Sequence, residues 1–561
     1  MYLRLVIFCC LLYCFANKGV HSSFGTEFED DELIVELENL GKIRGHILQS
    51  AEGKDFYAFQ DIPYAEPPIG KNRFQAPKPH GPWEGILNTT SNNRVCPQQY
   101  PGEKHIMLSD LNEDEDCLVL NVYTPVKPSS NKSLPIFFWI HGGSYVYGAG
   151  SIYFYNPKLL VDYDIIVVTI NYRLGALGFL TTLDENIPAN LGLKDQLLAL
   201  KWTHQNIHRF GGDPKQITVG GESAGSISAG FHLLSRAAKG LINGIIQQSG
   251  SPLCGVFYPT NDRKLAFEFG KTLNSSFTSS RSSDLLELLQ QASPSDILAV
   301  QSKLKSGRTL GFMDAITYKP VIEGTFNDDA FITQPMHGAV QNGDFNLVPI
   351  LMGITSEESL MFLFEINEND IEARAKFLDE DLRNLVGDYL NIDEQYRQAV
   401  GITLQIQYSD FDFTFTENRS ALIKYTSDEV FTRSMIRQAE CASSYVPVYL
   451  YELSWLPEGT TDLGVPHSGD LWYLWDTQAF GANNETLRKP ILKWWTNFIK
   501  YQNPTPVLDE ELQNVIWPEV APNAVKYLDI NSQFTVKENP RNYYNFKSLL
   551  DSFLNPPYVS Y

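Results

Sequence analysis

The chain has 561 residues, of which 43% are hydrophobic, and this composition excludes a largely disordered protein. Its length allows two to four ordinary domains or one large α/β domain with insertions. The formal net charge of −22 repels phosphate backbones, so nucleic acid is not an expected partner.

The first residues have the pattern of a secretory signal peptide. Arg4 supplies a positive charge, and the apolar run from Leu5 to Phe15 that follows it is too short to span a bilayer. Cleavage after Ala16 or after Ser22 fits this pattern, and an N-terminal membrane anchor is the alternative. We expect residues 1–22 to be removed and residues 23–561 to form a single secreted, extracellular domain without a stable membrane anchor.

The remaining cysteines and the sequons agree with an oxidising compartment. Cys96 and Cys117 are close enough in sequence to close a short loop, and Cys254 and Cys441 lie further along the chain. In a secreted protein, N-x-S/T sequons mark candidate glycosylation positions on the surface. These positions are Asn88, Asn131, Asn274, Asn418 and Asn484.

Short, strongly apolar runs alternate with helical patterns along the chain. Runs that are apolar on both faces predict buried parallel strands, so the sequence predicts an α/β fold with a large, mostly parallel central sheet covered by helices on both faces. In such a sheet, chemistry lies where loops leave the carboxyl ends of the strands. The runs are Leu134–Ile140, Ile165–Ile170, Ile217–Val219, Gly244–Gln247, Val348–Gly353 and Val446–Leu453, and the helical patterns include Leu193–Ile207 and Ile491–Tyr501.

A G-x-S-x-G motif is centred on Ser223. It lies between the apolar run Ile217–Val219 and the helix-compatible run Ser226–Leu234. Strand, sharp turn and helix form the context of a nucleophile elbow, in which Gly221 and Gly225 remove Cβ atoms from a crowded turn. An isolated G-x-S-x-G match is common by chance, so the prediction of a nucleophile depends on finding its partners.

Three loops after apolar runs carry candidate partners. The stretch from His141 to Ser144 can expose backbone N–H groups to a substrate oxygen, with a simple tight turn as the alternative. Glu357 or Glu358 could orient a histidine, and His467 in a Gly/Pro loop could be that histidine. An exposed acidic loop and an ordinary surface histidine are the alternatives. The order Ser, Glu, His is that of the α/β-hydrolase fold.

On these motifs the chain resembles the type-B carboxylesterase/cholinesterase family of α/β-hydrolases, from about Val35 to Phe546. The segment Glu115–Tyr123 resembles one family signature, and Phe210–Pro214 followed by Gly221–Gly225 resembles the serine signature. The loop pattern and the acidic, glycosylated character are most similar to secreted insect carboxylesterases.

The resemblance implies a role for each position. Ser223 would be the nucleophile and His467 the base, and Glu358, the fifth residue after Gly353, would be the acid in place of Glu357. The oxyanion donors would be the backbone N–H groups of Gly143, Ser144 and Ala224. Glu222 beside the nucleophile and Ser249 near the acid would support these groups. Cys96–Cys117 would be the first disulfide of the family, and Arg73–Glu115 and Arg173–Asp195 its structural ion pairs.

The chain departs from the family pattern at several positions. Ser144 stands where the third oxyanion position usually carries glycine, and Ser359 replaces the usual glycine after the acid. Cys254 matches a cysteine of the second family disulfide, but the expected partner is missing. We therefore expect Cys254 and Cys441 to be free and buried, with a bridge between them as the alternative.

The resemblance implies a serine carboxylic-ester hydrolase that cleaves small lipophilic esters through an acyl-enzyme and needs no metal or redox cofactor. A juvenile hormone esterase is one alternative, although that subfamily usually carries Gln at the position of Glu222. A cholinesterase is poorly supported, because the segment from Pro97 to Asp116 lacks the tryptophan that binds choline. A non-catalytic binding or adhesion protein on the same fold typically loses the serine or the histidine. The oligomeric state stays open.

Overall fold

The computed structural model describes most of the chain. It describes residues 33–91, 93–99, 111–128, 130–255, 262–304, 317–323, 330–361, 368–409, 414–456, 463–476, 485–556 and 561. The predicted signal peptide, residues 1–22, and the sequon at Asn484 lie outside these residues.

The strands are short except for two long ones near the start and the middle of the chain. In chain order they are β1 (Ile34–Leu37), β2 (Gly41–Arg44), β3 (His46–Gln49), β4 (Asp55–Pro63), β5 (Ile86–Asn88), β6 (Arg94–Val95), β7 (Asn112–Glu113), β8 (Val119–Thr124), β9 (Leu134–Ile140), β10 (Ile166–Ile170), β11 (Gly212–Glu222), β12 (Gly244–Gln248), β13 (Ile350–Thr355), β14 (Val448–Leu453), β15 (Lys526–Ile530) and β16 (Thr535–Glu538).

Within the described residues, 11 strands form one sheet in the order β16-β15-β14-β13-β12-β11-β9-β10-β8-β4-β3. The central strands, from β10 through β9 and β11 to β15, pair in parallel. Antiparallel pairs extend the sheet at both ends, β16 with β15 on one side and β8, β4 and β3 on the other. The predicted large, mostly parallel sheet is therefore confirmed.

Helices flank this sheet. In chain order they are α1 (Gly175–Phe179), α2 (Leu191–Asn206), α3 (Ala224–Leu234), α4 (Asp262–Leu273), α5 (Ser282–Gln291), α6 (Pro294–Lys303), α7 (Met336–Asn342), α8 (Glu368–Glu380), α9 (Glu394–Ser409), α10 (Arg419–Ser427), α11 (Arg433–Ala442), α12 (Leu471–Leu474), α13 (Glu485–Tyr501) and α14 (Tyr543–Phe553), with a π-helical turn, Asp428–Thr432, between α10 and α11.

Strand β9 shows why its sequence is apolar throughout. Successive side chains of a strand point to opposite faces. Phe138 belongs to one buried hydrophobic cluster and its neighbour Trp139 to another, and both are 0% exposed. The two clusters lie on the two faces of the sheet, and each fully buried large apolar side chain contributes about 1.5–3 kcal/mol. A continuous apolar run thus indicates a strand covered on both sides, as the sequence analysis predicted.

The strand order creates a crevice at the carboxyl edge of the sheet. Strands β10 and β11 lie on opposite sides of β9, so the chain changes direction across the sheet at β9. Parallel sheets place ligands at such a switch point. The loops after β9, β11, β12, β13 and β14 carry the predicted site residues Gly143, Ser223, Ser249, Glu358 and His467.

The disulfide and the two ion pairs that the resemblance implied are present. Cys96 and Cys117 form a disulfide, Arg73 pairs with Glu115 at 2.6 Å, and Arg173 pairs with Asp195 at 2.7 Å. Both ion pairs are buried, so removal of either partner would leave an uncompensated charge in the interior.

The two remaining cysteines in the described part of the chain are free, as expected. Cys254 is buried, whereas Cys441 is only partly buried, and in this respect the expectation for Cys441 was wrong. In the described residues, no helix combines the length and the apolar character that a membrane span requires.

Candidate active site

The sharp turn between β11 and α3 carries Ser223. Its backbone lies at φ 55° and ψ −123°, a conformation that L-residues rarely adopt and that stores strain. Hydrogen bonds on both sides hold it, because Ser223 N donates to Gln248 O at 2.9 Å and Ser223 O accepts from Ile227 N at 2.9 Å. Ser223 is partly exposed, so the turn presents a hydroxyl at the carboxyl edge of the sheet.

Two glycines allow the turn to close. A Cβ atom on Gly225 would lie 2.0 Å from Ile140 O, and one on Gly221 would lie 2.4 Å from the carbonyl carbon of Gly225. Both distances are impossible contacts with main-chain atoms. The end of β9, the turn and the start of α3 therefore pack backbone against backbone, which only glycine permits.

The loop after β9 lies against Ser223. A Cβ atom on Gly142 would be 3.2 Å from Ser223 Cβ. His141 Nδ1 contacts Gly142 O at 2.8 Å, and Gly143 O accepts from Val146 N at 3.0 Å. The N–H and C=O of a trans peptide point in opposite directions. The N–H of Gly143, which follows the Gly142 carbonyl, therefore points away from the His141 ring. The N–H of Ser144, which follows the Gly143 carbonyl, points away from Val146 N.

The His141 side chain is buried and stacks on Tyr172, with ring centroids 4.4 Å apart. Burial lowers the pKa of His141 to about 4, although the bond to Gly142 opposes this shift. The ring is thus neutral and donates its Nδ1 hydrogen to the Gly142 carbonyl, which fixes the plane of the next peptide.

The backbone of the loop explains why its residue types matter. Gly143 has φ 103°, and a Cβ atom there would lie 2.1 Å from Tyr147 O. Ser144 has φ 55°, in the left-handed region that costs a residue with a Cβ atom roughly 1–2 kcal/mol. The usual glycine of the family is free of that cost. Ala224 is the first residue of α3. The first N–H groups of a helix have no acceptor within that helix, so the N–H of Ala224 is available to another acceptor. The oxyanion role of Gly143, Ser144 and Ala224 stays a prediction.

His467 and Glu358 are in direct contact. His467 Nδ1 lies 2.6 Å from Glu358 Oε2. The other oxygen, Glu358 Oε1, accepts from Ser249 Oγ at 2.7 Å and from Thr355 N at 2.8 Å. The carboxyl is 0% exposed, so these donors replace its water. A carboxylate at Nδ1 places an imidazole hydrogen on that nitrogen, because a carboxylate only accepts.

The neighbouring Glu357 has a different role. It pairs with Arg541 at 3.2 Å, and its backbone N–H donates to Val465 O at 3.0 Å. The structure therefore brings Glu358 to His467, and Glu357 to Arg541.

Glu222 contacts the histidine as well as neighbouring the serine. Glu222 Oε1 lies 3.1 Å from His467 Nε2 and accepts from Ser468 Oγ at 2.6 Å. Burial raises the pKa of Glu222, against the opposing effect of the His467 charge. Burial alone would lower the pKa of His467, but the charge of Glu222 and the bond to Glu358 outweigh it, so the pKa is raised.

Two residues around His467 were missed by the sequence analysis. Phe431 stacks on the imidazole, with ring centroids 4.4 Å apart. Asp470, three residues after the histidine, is buried and accepts from Tyr451 Oη at 2.6 Å. The short spacing of His467 and Asp470 could have drawn attention to the aspartate. Nothing in the sequence around Phe431 marks it.

Four of the five sequons lie in described residues. Asn88, Asn131 and Asn274 are exposed, whereas Asn418 is partly buried and its side chain accepts from Ala421 N at 3.0 Å to cap α10. Glycosylation at these positions stays a prediction.

A nucleophile elbow at the carboxyl edge of a mostly parallel sheet, with a histidine–carboxylate pair on the following loops, defines an α/β-hydrolase. Residues 31–546 match the Carboxylesterase family, and the chain belongs to that family. It is a hydrolase that acts on carboxylic ester bonds.

Several relatives cover nearly the whole chain. A juvenile hormone esterase of Tribolium castaneum is 30% identical over 528 residues, which are 88% of this chain and 87% of the relative. A carboxylic ester hydrolase of Bombus ignitus is 30% identical, with 90% of each chain covered. The crystal structure of a juvenile hormone esterase from Manduca sexta with covalently attached OTFP has a TM-score of 0.80 and 25% identity, and the match covers 93% of this chain and 99% of that one.

Proposed function

We propose that the chain is a secreted serine carboxylesterase that cleaves lipophilic esters through a triad of Ser223, Glu358 and His467. The observation that carries the proposal is the 2.6 Å contact between His467 and Glu358 on loops beside the strained turn of Ser223. A serine on such a turn, a histidine and a buried carboxylate, in this chain order, are the parts of an acyl-transfer site.

In the first half of the reaction, Ser223 Oγ attacks the ester carbonyl while His467 Nε2 accepts the hydroxyl proton. The carbonyl oxygen becomes an oxyanion, which the N–H groups of Gly143, Ser144 and Ala224 stabilise. Loss of one such donor typically costs about 3–4 kcal/mol. The imidazolium of His467 then gives its proton to the leaving alcohol, and an acyl-serine remains.

Water completes the cycle by the same route. His467 Nε2 takes a proton from water, the hydroxide attacks the acyl carbonyl, and the imidazolium returns the proton to Ser223 Oγ as the acid departs. Glu358 holds the Nδ1–H tautomer and stabilises the imidazolium. The bonds from Ser249 and Thr355 support this role, because they hold the carboxyl in the orientation in which it contacts Nδ1.

The proposed secretion and glycosylation are supported by the signal-peptide pattern and by the Cys96–Cys117 disulfide, since disulfides persist in oxidising compartments. Expression of the full chain in insect cells tests both. We expect active protein in the medium, with a lower apparent mass after treatment with an N-glycosidase.

Labelling with a fluorophosphonate probe tests the nucleophile. We expect one label per chain for the wild type and none for Ser223→Ala, together with turnover of p-nitrophenyl esters by the wild type only. Ser226→Ala is a matched control, because Ser226 lies on α3 and donates to Gly250 O at 2.6 Å. Retention of the label by Ser223→Ala, or its absence from folded wild-type protein, would contradict the proposed nucleophile.

Juvenile hormone esterase is a second candidate function, favoured by the Tribolium and Manduca proteins that carry that name. Glu222, at a position where that subfamily usually carries Gln, counts against it. Competition of a juvenile hormone with p-nitrophenyl butyrate separates the two. A value of kcat/KM for the hormone well above that for simple esters would replace broad ester hydrolysis with this narrower function.

A further inference from the structure

The π-helical turn Asp428–Thr432 brings an aromatic ring to the histidine. Phe431 is 3% exposed. The centroid of its ring lies 4.4 Å from the centroid of the His467 ring, with 28° between the ring planes. Turns of this type are rare, and inside α-helices they occur frequently at functional sites. Here the turn lies between α10 and α11 and faces the loop that carries His467.

We propose that Phe431 is a positioning residue for the esterase reaction. Held by the π turn, its ring stacks on the His467 imidazole, keeps that imidazole in the orientation in which it bonds Glu358, and stabilises the imidazolium that forms during each half of the reaction. The inference rests on the proposed function, in which His467 is the base.

The π turn is anchored at three consecutive residues, each by a different part of the chain. The partners are Arg541 for Asp428 at 2.9 Å, Arg374 for Glu429 at 3.0 Å, and the Cys254 thiol, which donates to Val430 O at 2.8 Å. Both ion pairs have side chains that are at most 14% exposed. These contacts fix the backbone just before Phe431, so the ring is held by the fold and does not depend on the histidine for its place.

The same helical segment also holds the loop of the acid. Ser359 N donates to Ser427 Oγ at 3.0 Å, and Ser359 Oγ donates to Ile423 O at 2.8 Å. Ser359 follows Glu358 directly, at the position where the family usually has glycine. The serine thus ties the acid to α10, while Phe431, a few residues further along, contacts the base. One segment positions both groups of the His467–Glu358 pair.

Charged groups also lie close to His467. Carboxylates of Glu222, Glu358 and Asp470 all favour the protonated imidazole, and the first two lie 3.1 Å and 2.6 Å from its nitrogens. Nitrogen-bound hydrogens lie in the plane of an imidazole, so Glu358, which bonds Nδ1, approaches its edge. An aromatic ring over the face adds a separate attraction for the cation.

Steady-state kinetics of Phe431→Leu test the inference, because leucine keeps apolar bulk and removes the aromatic face. We expect kcat for p-nitrophenyl butyrate to fall about tenfold with KM changed less than about twofold, since the ring acts on the imidazolium and not on substrate binding. The acid limb of kcat/KM should move to lower pH, because the imidazolium loses a stabilising contact. Phe431→Tyr, which keeps the aromatic face, should retain most of the wild-type kcat. If Phe431→Leu does not fold, Phe431→Met replaces it, with the same expected fall in kcat and the same shift of the acid limb.

Phe415→Leu is the matched control. Phe415 is 1% exposed and packs on Tyr425 of α10, with ring centroids 5.6 Å apart. This variant should lower Tm but leave the acid limb in place. The inference is overturned if Phe431→Leu leaves the acid limb unmoved, if it changes only KM, or if Phe415→Leu moves the limb equally. Fluorophosphonate labelling of the wild type separates these outcomes from failure of the proposed function, which would abolish the label itself.

Discussion

Replacement of Glu222 by glutamine should change the pH dependence of ester hydrolysis in a specific way. Glutamine is nearly isosteric and can still accept the Ser468 hydroxyl, but it carries no charge. In the wild type, Glu222 Oε1 lies 3.1 Å from His467 Nε2, and both side chains are buried. A negative charge at this distance favours the imidazolium, so its removal lowers the pKa of His467.

The expected magnitude follows from the contact. An opposite charge in close contact typically shifts a pKa by about one to two units, and one pKa unit corresponds to about 1.4 kcal/mol. The acid limb of kcat/KM should therefore move about one to two pH units lower in Glu222→Gln. The transition state, which contains the imidazolium, loses the same interaction, so the plateau at high pH should fall about tenfold to a hundredfold.

The assay is kcat/KM from about pH 5 to about pH 10 with a p-nitrophenyl ester whose release is followed at a pH-independent wavelength. Ser468→Ala is the control, because it removes the hydroxyl that favours ionised Glu222 but keeps the carboxyl. Its shift should have the same direction and a smaller size. A Glu222→Gln profile that overlays the wild type would refute the reasoning, and so would a lowered plateau with an unmoved limb.

Three further changes have expected outcomes. Ser144→Gly should relax any preference for short acyl chains, and equal chain-length profiles of wild type and variant in a p-nitrophenyl ester series would contradict this. The same change should raise the free energy of unfolding by about 1 kcal/mol, because the left-handed backbone at φ 55° no longer strains a residue with a Cβ atom. Conversion of Cys96 and Cys117 to serine opens a loop with a sequence separation of 21 and should lower the free energy of unfolding by about 3 kcal/mol. Urea unfolding measures this change, and an unchanged midpoint would contradict it. Gly225→Ala should abolish activity and soluble yield, since its Cβ atom would lie 2.0 Å from Ile140 O, and an active, soluble variant would show that the elbow can open.

Much of the fold could be predicted because its signals are local. The run Leu134–Ile140 is apolar on both faces, and the structure makes it β9 with the same bounds. The run Ile217–Val219 marked only the middle of β11, which extends over Gly212–Glu222 with an irregular register between Gly212 and Ile217. Polar residues in that part of the strand hid its true length from a pattern based on hydrophobicity.

The candidate site was predictable to the extent that each residue follows a strand. Two adjacent glutamates gave no local means of choosing between them, and only the family resemblance favoured Glu358. The contacts of Glu357 with Arg541 and of Glu358 with His467 depend on chain segments that lie 184 and 109 residues further along the chain. Phe431 could not be predicted, because a π turn shifts the helical phase and no residue type specifies that shift.

The buried carboxylates of the site also bear on how a catalytic cycle ends. Glu222, Glu358 and Asp470 surround one imidazole, so acidic groups outnumber the base they serve. Ester hydrolysis turns a neutral substrate into an acid that ionises at neutral pH. A carboxylate product formed beside three acidic side chains is repelled in a medium that screens charge poorly, whereas the uncharged ester is not. In the proposed reaction, the cluster that stabilises the imidazolium therefore also favours product release over product inhibition.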